Sequence, residues 1–192
     1  MNAFARNLLL ELFGRPRGML GRLGGVIMAH TNRECAVWVG GLLEVRPDDK
    51  VLELGFGPGM GVEFLVRTTQ AGYVAGVDPS KEMVEQAGAR NAEAVASGRV
   101  DLQLGSAESL PFAADTFDKA MAINSLQIWP DAIAGLREVW RVLRPAGTIA
   151  LGFTRHSGQQ KAGLDDMLAA AGFTDVRLVE RERDFCEIAA KP

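Results

Sequence analysis

"VLELGFGPGMG", residues 51–61, runs an apolar stretch straight into four glycines at every second position, Gly55, Gly57, Gly59 and Gly61. A short, continuous apolar run is the pattern of a strand buried on both faces. Glycine lacks a Cβ, tolerates positive φ and lets a ligand lie against backbone N–H groups. Tight strand-to-helix turns use glycine too, so the loop has to be read together with the next strand. That apolar run, "YVAGVD" (73–78), ends on Asp78. In doubly wound sheets ligands bind beyond the carboxyl ends of the strands, and a carboxylate there accepts hydrogen bonds from ribose hydroxyls. Loop and acid together predict a nucleoside across the first two strand ends. A dinucleotide site needs G-x-G-x-x-G to bring pyrophosphate to a helix N-terminus. Here Met60 stands where the third glycine would fall, so the spacing suits a ligand without phosphates.

Outward from this loop, strand and helix patterns alternate. "KVLELG" (50–55), "YVAGVD", "VDLQLG" (100–105), "FDKAMAIN" (117–124) and "TIALGF" (148–153) read as strands. Between them lie helical patterns at 61–71, at 80–98 with Ser80 as N-cap, and at 130–144 from Pro130 to the stop at Pro145 and Gly147. A last helix covers 164–173, and "VRLVER" (176–181) with "FCEIAA" (185–190) forms a hairpin. This alternation predicts an α/β fold, a doubly wound and mostly parallel sheet whose final hairpin adds an antiparallel strand. Residues 1–46 break the rhythm. Phe4, Leu8 and Leu12 share a helical stripe, glycines follow, and "NRECAVWVGGLLEV" (32–45) reads as another helix. They are expected to form a helical cap on a domain spanning 47–192.

With 192 residues the chain is long enough for one domain with a sizeable core and too short for two full ones. The net charge of −3 gives no general pull towards nucleic acid. Residues 1–46 carry six Arg against three Glu, and the remainder 15 basic against 21 acidic residues. Cys35 and Cys186 lie far apart with no CxxC or Cys/His cluster, which argues against zinc. "LLLELF" is short and interrupted by Glu11, so neither a membrane span nor a signal sequence is expected, and a cytoplasmic location is.

"VLELGFGPG", "GVDPSKEMVEQA", "GSAESLPF", "FDKAMAINSLQIW" and "LREVWRVLRPAGTIAL" resemble, in this order, the successive motifs of class I S-adenosylmethionine-dependent methyltransferases. More narrowly, they are similar to the small-molecule branch that includes ubiquinone and menaquinone methyltransferases. The resemblance covers about residues 48–192 and implies a Rossmann-like, seven-stranded sheet in the order 3-2-1-4-5-7-6, with strand 7 antiparallel between 5 and 6. It also implies S-adenosylmethionine as cofactor. Glu53, Gly55, Gly57 and Gly59, with Phe56 in the same loop, would surround its methionine part. Asp78 would hold the ribose, and Pro79 and Met83 would flank the adenine. Ser106 stands where the family usually has an acid for the adenine amino group; Ala107 would offer its N–H to the ring, and Glu108 lies beside it. Asn124 ends the fourth strand, where cofactor and substrate meet in the family.

The expected reaction is in-line displacement, for which the protein holds both partners in line and excludes water. His30 in the cap and His156 after the fifth strand are the candidate bases, and Asn124, Gln127 and Trp129 a candidate substrate wall. "NSLQ" (124–127) replaces the N-P-P-Y or D-P-P-Y sequence of nucleic-acid amino methyltransferases and there is no basic stripe, so nucleic acid is not expected; a small molecule is, an apolar one among the options. About ten residues separate the fifth strand from the last helix, so the cap would do most of the enclosing. Contact of its basic, apolar-striped surface with a membrane is the lesser alternative to a lid. A non-catalytic module that binds S-adenosylmethionine or S-adenosylhomocysteine is the alternative function.

Overall fold

The computed structural model describes residues 33–70 and 72–192. Its core is one seven-stranded sheet in the order β3-β2-β1-β4-β5-β7-β6. The strands are β1 (Lys50–Leu54), β2 (Tyr73–Asp78), β3 (Val100–Leu104), β4 (Phe117–Ile123), β5 (Leu143–Phe153), β6 (Thr174–Arg181) and β7 (Asp184–Ala190). Pairing is parallel throughout β3-β2-β1-β4-β5, and β7 runs antiparallel to both β5 and β6. Fold class, strand order and the antiparallel seventh strand are those expected from the sequence.

Alternate residues along the strands feed two separate cores, as the two-residue period of a strand requires. Leu52 and Leu54 of β1, Ala75 and Val77 of β2, and Ile149 and Leu151 of β5 face α5 (Ala132–Val142) and α6 (Leu164–Ala171). On the other face Val51, Val74, Met121 and Ala150 meet α1 (residues 33–42), α2 (Met60–Thr68), α3 (Lys81–Arg90) and α4 (Ala92–Ala96). Cys35 and Cys186 are both free thiols buried in this second core, and burial pushes each up to about 12. No described helix is long and apolar enough to cross a membrane.

Several boundaries depart from the sequence reading, and three have a visible cause. The helix expected over 80–98 is two helices, broken at Asn91, whose amide donates to Ala87 O and across the fold to Gly59 O. Asp131, not Pro130, caps α5, its carboxylate accepting from Ala134 N. β5 starts at Leu143, because Leu143 pairs with Phe117 before an irregularity restores register at Thr148. The segment expected to form the cap is described only from residue 33. Phe4, Leu8, Leu12, the four arginines Arg6, Arg15, Arg17 and Arg22, and His30 lie outside the described residues.

Helix α1 sits directly on β5. A Cβ on Gly152 would lie 2.5 Å from Val39 Cγ2 and 3.6 Å from Cys35 Sγ. Gly152→Ala should therefore lift α1 from the sheet and destabilise the protein by about 1–3 kcal/mol, the usual range for overpacking. Gly88→Ala should do the opposite. It lies inside α3 with no described atom within 4 Å of its Cβ position, so it should gain about 0.5–1 kcal/mol. Thermal melts of the two variants check this; equal shifts would mean that α1 is not seated as described.

Candidate functional site

The site forms where β1, β2 and β4 end and the chain turns into α2, α3 and the turn after β4. Gly55 N donates to Val77 O, Gly59 N to Phe56 O, and Gly57 N to Asp78 Oδ2 at 2.9 Å. From α3, Arg90 Nε donates to Pro58 O and the Asn91 amide to Gly59 O. The loop is thus held from both sides before any ligand arrives.

Its glycines serve different purposes. Gly55 has φ +66, and a Cβ there would lie 2.5 Å from Ser125 Cβ. A Cβ on Gly59 would strike Ala87, and one on Gly61 would reach the Glu53 carboxyl. These three are bare because the protein itself occupies the space. Gly57 differs: no described atom lies within 4 Å of its Cβ position. This is the point at which a ligand can lie against the backbone.

Two carboxyl groups stand at the ends of neighbouring strands. Asp78 is 5% exposed, with Oδ1 accepting from Ser80 N and Oδ2 from Gly57 N. Burial pushes it up to about 6, although the two N–H bonds oppose the shift. Glu53 is 3% exposed, pairs in register with Gly76 two residues before Asp78, and has no hydrogen-bond partner for Oε2. Burial first, then the Asp78 charge, pushes it up to about 8. Asp78 is the first of the two to ionise as pH rises, because it has donors and Glu53 Oε2 has none. Both carboxyl groups are thus pushed up, Glu53 further than Asp78.

Glu53, Gly55, Phe56 and Gly61 line a cleft with Ala36 of α1, Pro58, Met60 and Ile123. Its empty volume is about 270 Å³, including space open to solvent. The Phe56 side chain is itself buried: its ring fills the space over Gly76, where a Cβ would lie 2.5 Å from Cδ1.

The remaining expected site residues divide. Pro79 is exposed at the rim beside Asp78, while Met83 is buried in the core between α3 and the sheet. Ser106 and Ser109 form an isolated bridge that closes the turn after β3. Ala107 packs against the core near Gly135 and Trp129, and Glu108 Oε1 accepts from Asp131 N at the start of α5. Asn124 has φ 51, and its Oδ1 accepts from Thr154 N at 2.8 Å and Thr154 Oγ1 at 3.2 Å, tying the ends of β4 and β5 together. Gln127 donates to Asn124 O, and Trp129 packs over Gly135. His156 is exposed beyond β5, its Nε2 accepting from Arg155 Nε, and is not among the residues lining the cleft.

Sequence reasoning missed Ser125, whose buried hydroxyl donates to Leu54 O and whose Cβ abuts Gly55. It passed over Leu104, 58% exposed and paired in register with Asp78. An apolar residue closing the strand next to Asp78 was the available signal for Leu104. It also missed Ala36, Met60 and Ile123 in the cleft wall, which only the packing of α1 onto the strand ends brings together.

Residues 51–147 match the methyltransferase domain family. The chain is 30% identical over 182 residues to an uncharacterized methyltransferase, YdaC, of Bacillus subtilis (strain 168), covering 88% of this chain and 98% of that protein. It is 31% identical over 110 residues to the ubiquinone/menaquinone biosynthesis C-methyltransferase UbiE of Geotalea daltonii, a match covering 57% of this chain and 47% of that one. Among solved structures, an S-adenosylmethionine-dependent methyltransferase from Aquifex aeolicus shares the fold with a TM-score of 0.74 at 19% identity, covering 82% and 89% of the two chains. Glycine loop, strand-end acids, sheet order and these matches agree: the chain belongs to the methyltransferase domain family.

Proposed function

We propose that this protein transfers the methyl group of S-adenosylmethionine to a small-molecule acceptor by in-line displacement. The observation that carries the reading is the pair of acids at the strand ends, Asp78 beside the one glycine of the loop left open to a ligand and Glu53 unpartnered in the cleft. The residues fit the cofactor on their own chemistry. Glu53 Oε2 is a buried acceptor lacking a donor, and an α-ammonium group supplies one. Each Asp78 oxygen already accepts one N–H bond, and a carboxylate oxygen has a second lone pair for a ribose hydroxyl. Leu104 and Pro79 offer apolar surface beside Asp78 for a base, with Ser106 and Ala107 on the adjoining turn.

When bound, S-adenosylmethionine supplies a methyl group already activated on a sulfonium. The chain's part is positioning and exclusion of water, which remove the largest share of such a barrier. Ser125 and Asn124 fix the end of β4 against β1 and β5. Ala36, Met60 and Ile123 form the apolar wall of the cleft. The proposed division is a cap at 1–46 and a domain at 47–192; for its described part, α1, Ala36 in the cleft wall supports that reading. The similarity to a quinone C-methyltransferase over the cofactor half supports a small, apolar acceptor.

Calorimetric titration tests the reading. S-adenosylmethionine and S-adenosylhomocysteine should bind, and NAD only negligibly, because Met60 occupies the place of the glycine that pyrophosphate needs. NAD binding as tightly as S-adenosylhomocysteine would overturn it.

A further inference from the structure

We infer that ligand binding in this cleft expels a proton from the protein: free, the cleft holds Glu53 as a neutral carboxylic acid, and the ammonium group of the ligand converts it to a carboxylate. The inference rests on the cofactor site proposed above and deepens it into a pH-dependent binding step.

The surroundings of Glu53 carry the argument. Its neighbours in register on β2 and β4 are Gly76 and Met121. From α2, Gly61 leaves no room for even a methyl group between it and the carboxyl. Ala36 of α1 and Ile123 face the same cleft. None of these is ionisable. The charges of the flanking helices are engaged or turned away: Glu63 of α2 pairs with Arg67 and Arg90, and Arg33 and Glu34 of α1 are exposed. Among the described residues Asp78 is the one ionisable group acting on Glu53, and it repels a second negative charge. No cation among the described residues compensates for ionising Glu53, and no donor among them reaches Oε2. A buried carboxylate without a counter-charge takes up a proton instead of remaining ionised.

A ligand with an α-ammonium group changes both conditions. It brings a positive charge and N–H donors to Oε2, favouring the ionised form. The ammonium is already protonated at neutral pH, so the Glu53 O–H bond breaks and its proton passes to solvent. The complex then holds one carboxylate against one ammonium, and charge balances with one proton released. The rest of the ligand, a nucleoside on Asp78, does not require that ionisation.

Titration of the full chain with S-adenosylhomocysteine at pH 7, in two buffers of different ionisation enthalpy, reads the proton directly. With Glu53 at about 8 in the free protein, roughly 0.9 proton should leave per ligand, and affinity should rise about eightfold between pH 6.5 and 7.5. 5′-Methylthioadenosine carries the same nucleoside without the ammonium and should bind without releasing a proton. Glu53→Gln should abolish proton release with S-adenosylhomocysteine and leave the affinity for methylthioadenosine within about threefold. If that variant fails to fold, the two wild-type titrations decide alone. Tight S-adenosylhomocysteine binding with no proton released overturns the inference and leaves the cofactor reading standing, as does equal release with methylthioadenosine. Absence of S-adenosylhomocysteine binding overturns the cofactor reading, and the inference with it.

Discussion

Asp78→Ala is expected to weaken S-adenosylhomocysteine binding by roughly thirty- to a thousandfold, on the order of 2–4 kcal/mol, through the loss of two charge-assisted hydrogen bonds. The carboxylate has two tasks. It accepts from Gly57 N and Ser80 N, both at 2.9 Å, and so fixes the glycine loop and the start of α3 in place. On the proposed reading, its remaining lone pairs are the acceptors for a ribose. Alanine removes both functions and leaves the part-buried Gly57 N–H and the buried Ser80 N–H without their acceptor. Asp78→Asn separates them, because its single carbonyl oxygen keeps one acceptor and turns an N–H₂ towards the other donor. The asparagine variant should fall between wild type and alanine in affinity. Titration calorimetry with S-adenosylhomocysteine measures all three. A loss below threefold in the alanine variant would mean that the ribose lies elsewhere.

Where a local pattern answers to a local cause, it is legible in the sequence. β1 and β2 are largely apolar because both faces are covered, and they stand out as nearly continuous runs. Ser80 caps a helix through its own neighbour, Met83 N, and three residues suffice to see it. Asp78 closes a strand next to a glycine loop, and strand order alone makes the two adjacent. Phe56 is the opposite case. In a glycine loop it reads as a ligand contact, yet its ring fills the space that Gly76 leaves on the next strand, twenty residues away. Asn91 sits inside a helical pattern, and only its reach to Gly59 O shows why the helix stops there. His156 follows the end of β5 by three residues, a spacing that points to the cleft, but its side chain turns out to solvent and bonds Arg155. The glycines show the limit most plainly. All four look like room for a ligand, whereas Gly55, Gly59 and Gly61 are filled by Ser125, Ala87 and Glu53, and Gly57 alone faces open space.

Glu53→Gln should stabilise the free protein increasingly as pH rises from 5 to 8.5, the reverse of what the loss of a buried polar group ordinarily does. The sign depends on where the proton sits. An unfolded glutamate ionises near its ordinary value of 4.5, whereas folded Glu53 keeps its proton up to about 8. Between those values the folded state holds a proton that the unfolded state has lost, so stability falls with each pH unit. At 1.36 kcal/mol per unit, the whole window amounts to about 3–5 kcal/mol. Asp78, raised to about 6, adds a smaller loss in the lower part of the same window and is unchanged by the substitution. A glutamine side chain cannot ionise. Its amide brings a desolvation cost of its own, but that cost does not vary with pH, so the slope and not the offset is the measurement. Relative to wild type, the variant's melting temperature should climb by on the order of 10 °C between pH 5 and 8.5. Parallel pH profiles for the two proteins would show that Glu53 ionises as freely in the fold as outside it. Saturating S-adenosylhomocysteine should flatten the wild-type profile, because the ammonium compensates the same carboxylate whose desolvation weakens the free protein. The destabilisation of the empty cleft and its affinity for a cationic ligand then have one origin, an acid buried at the end of β1 without a partner.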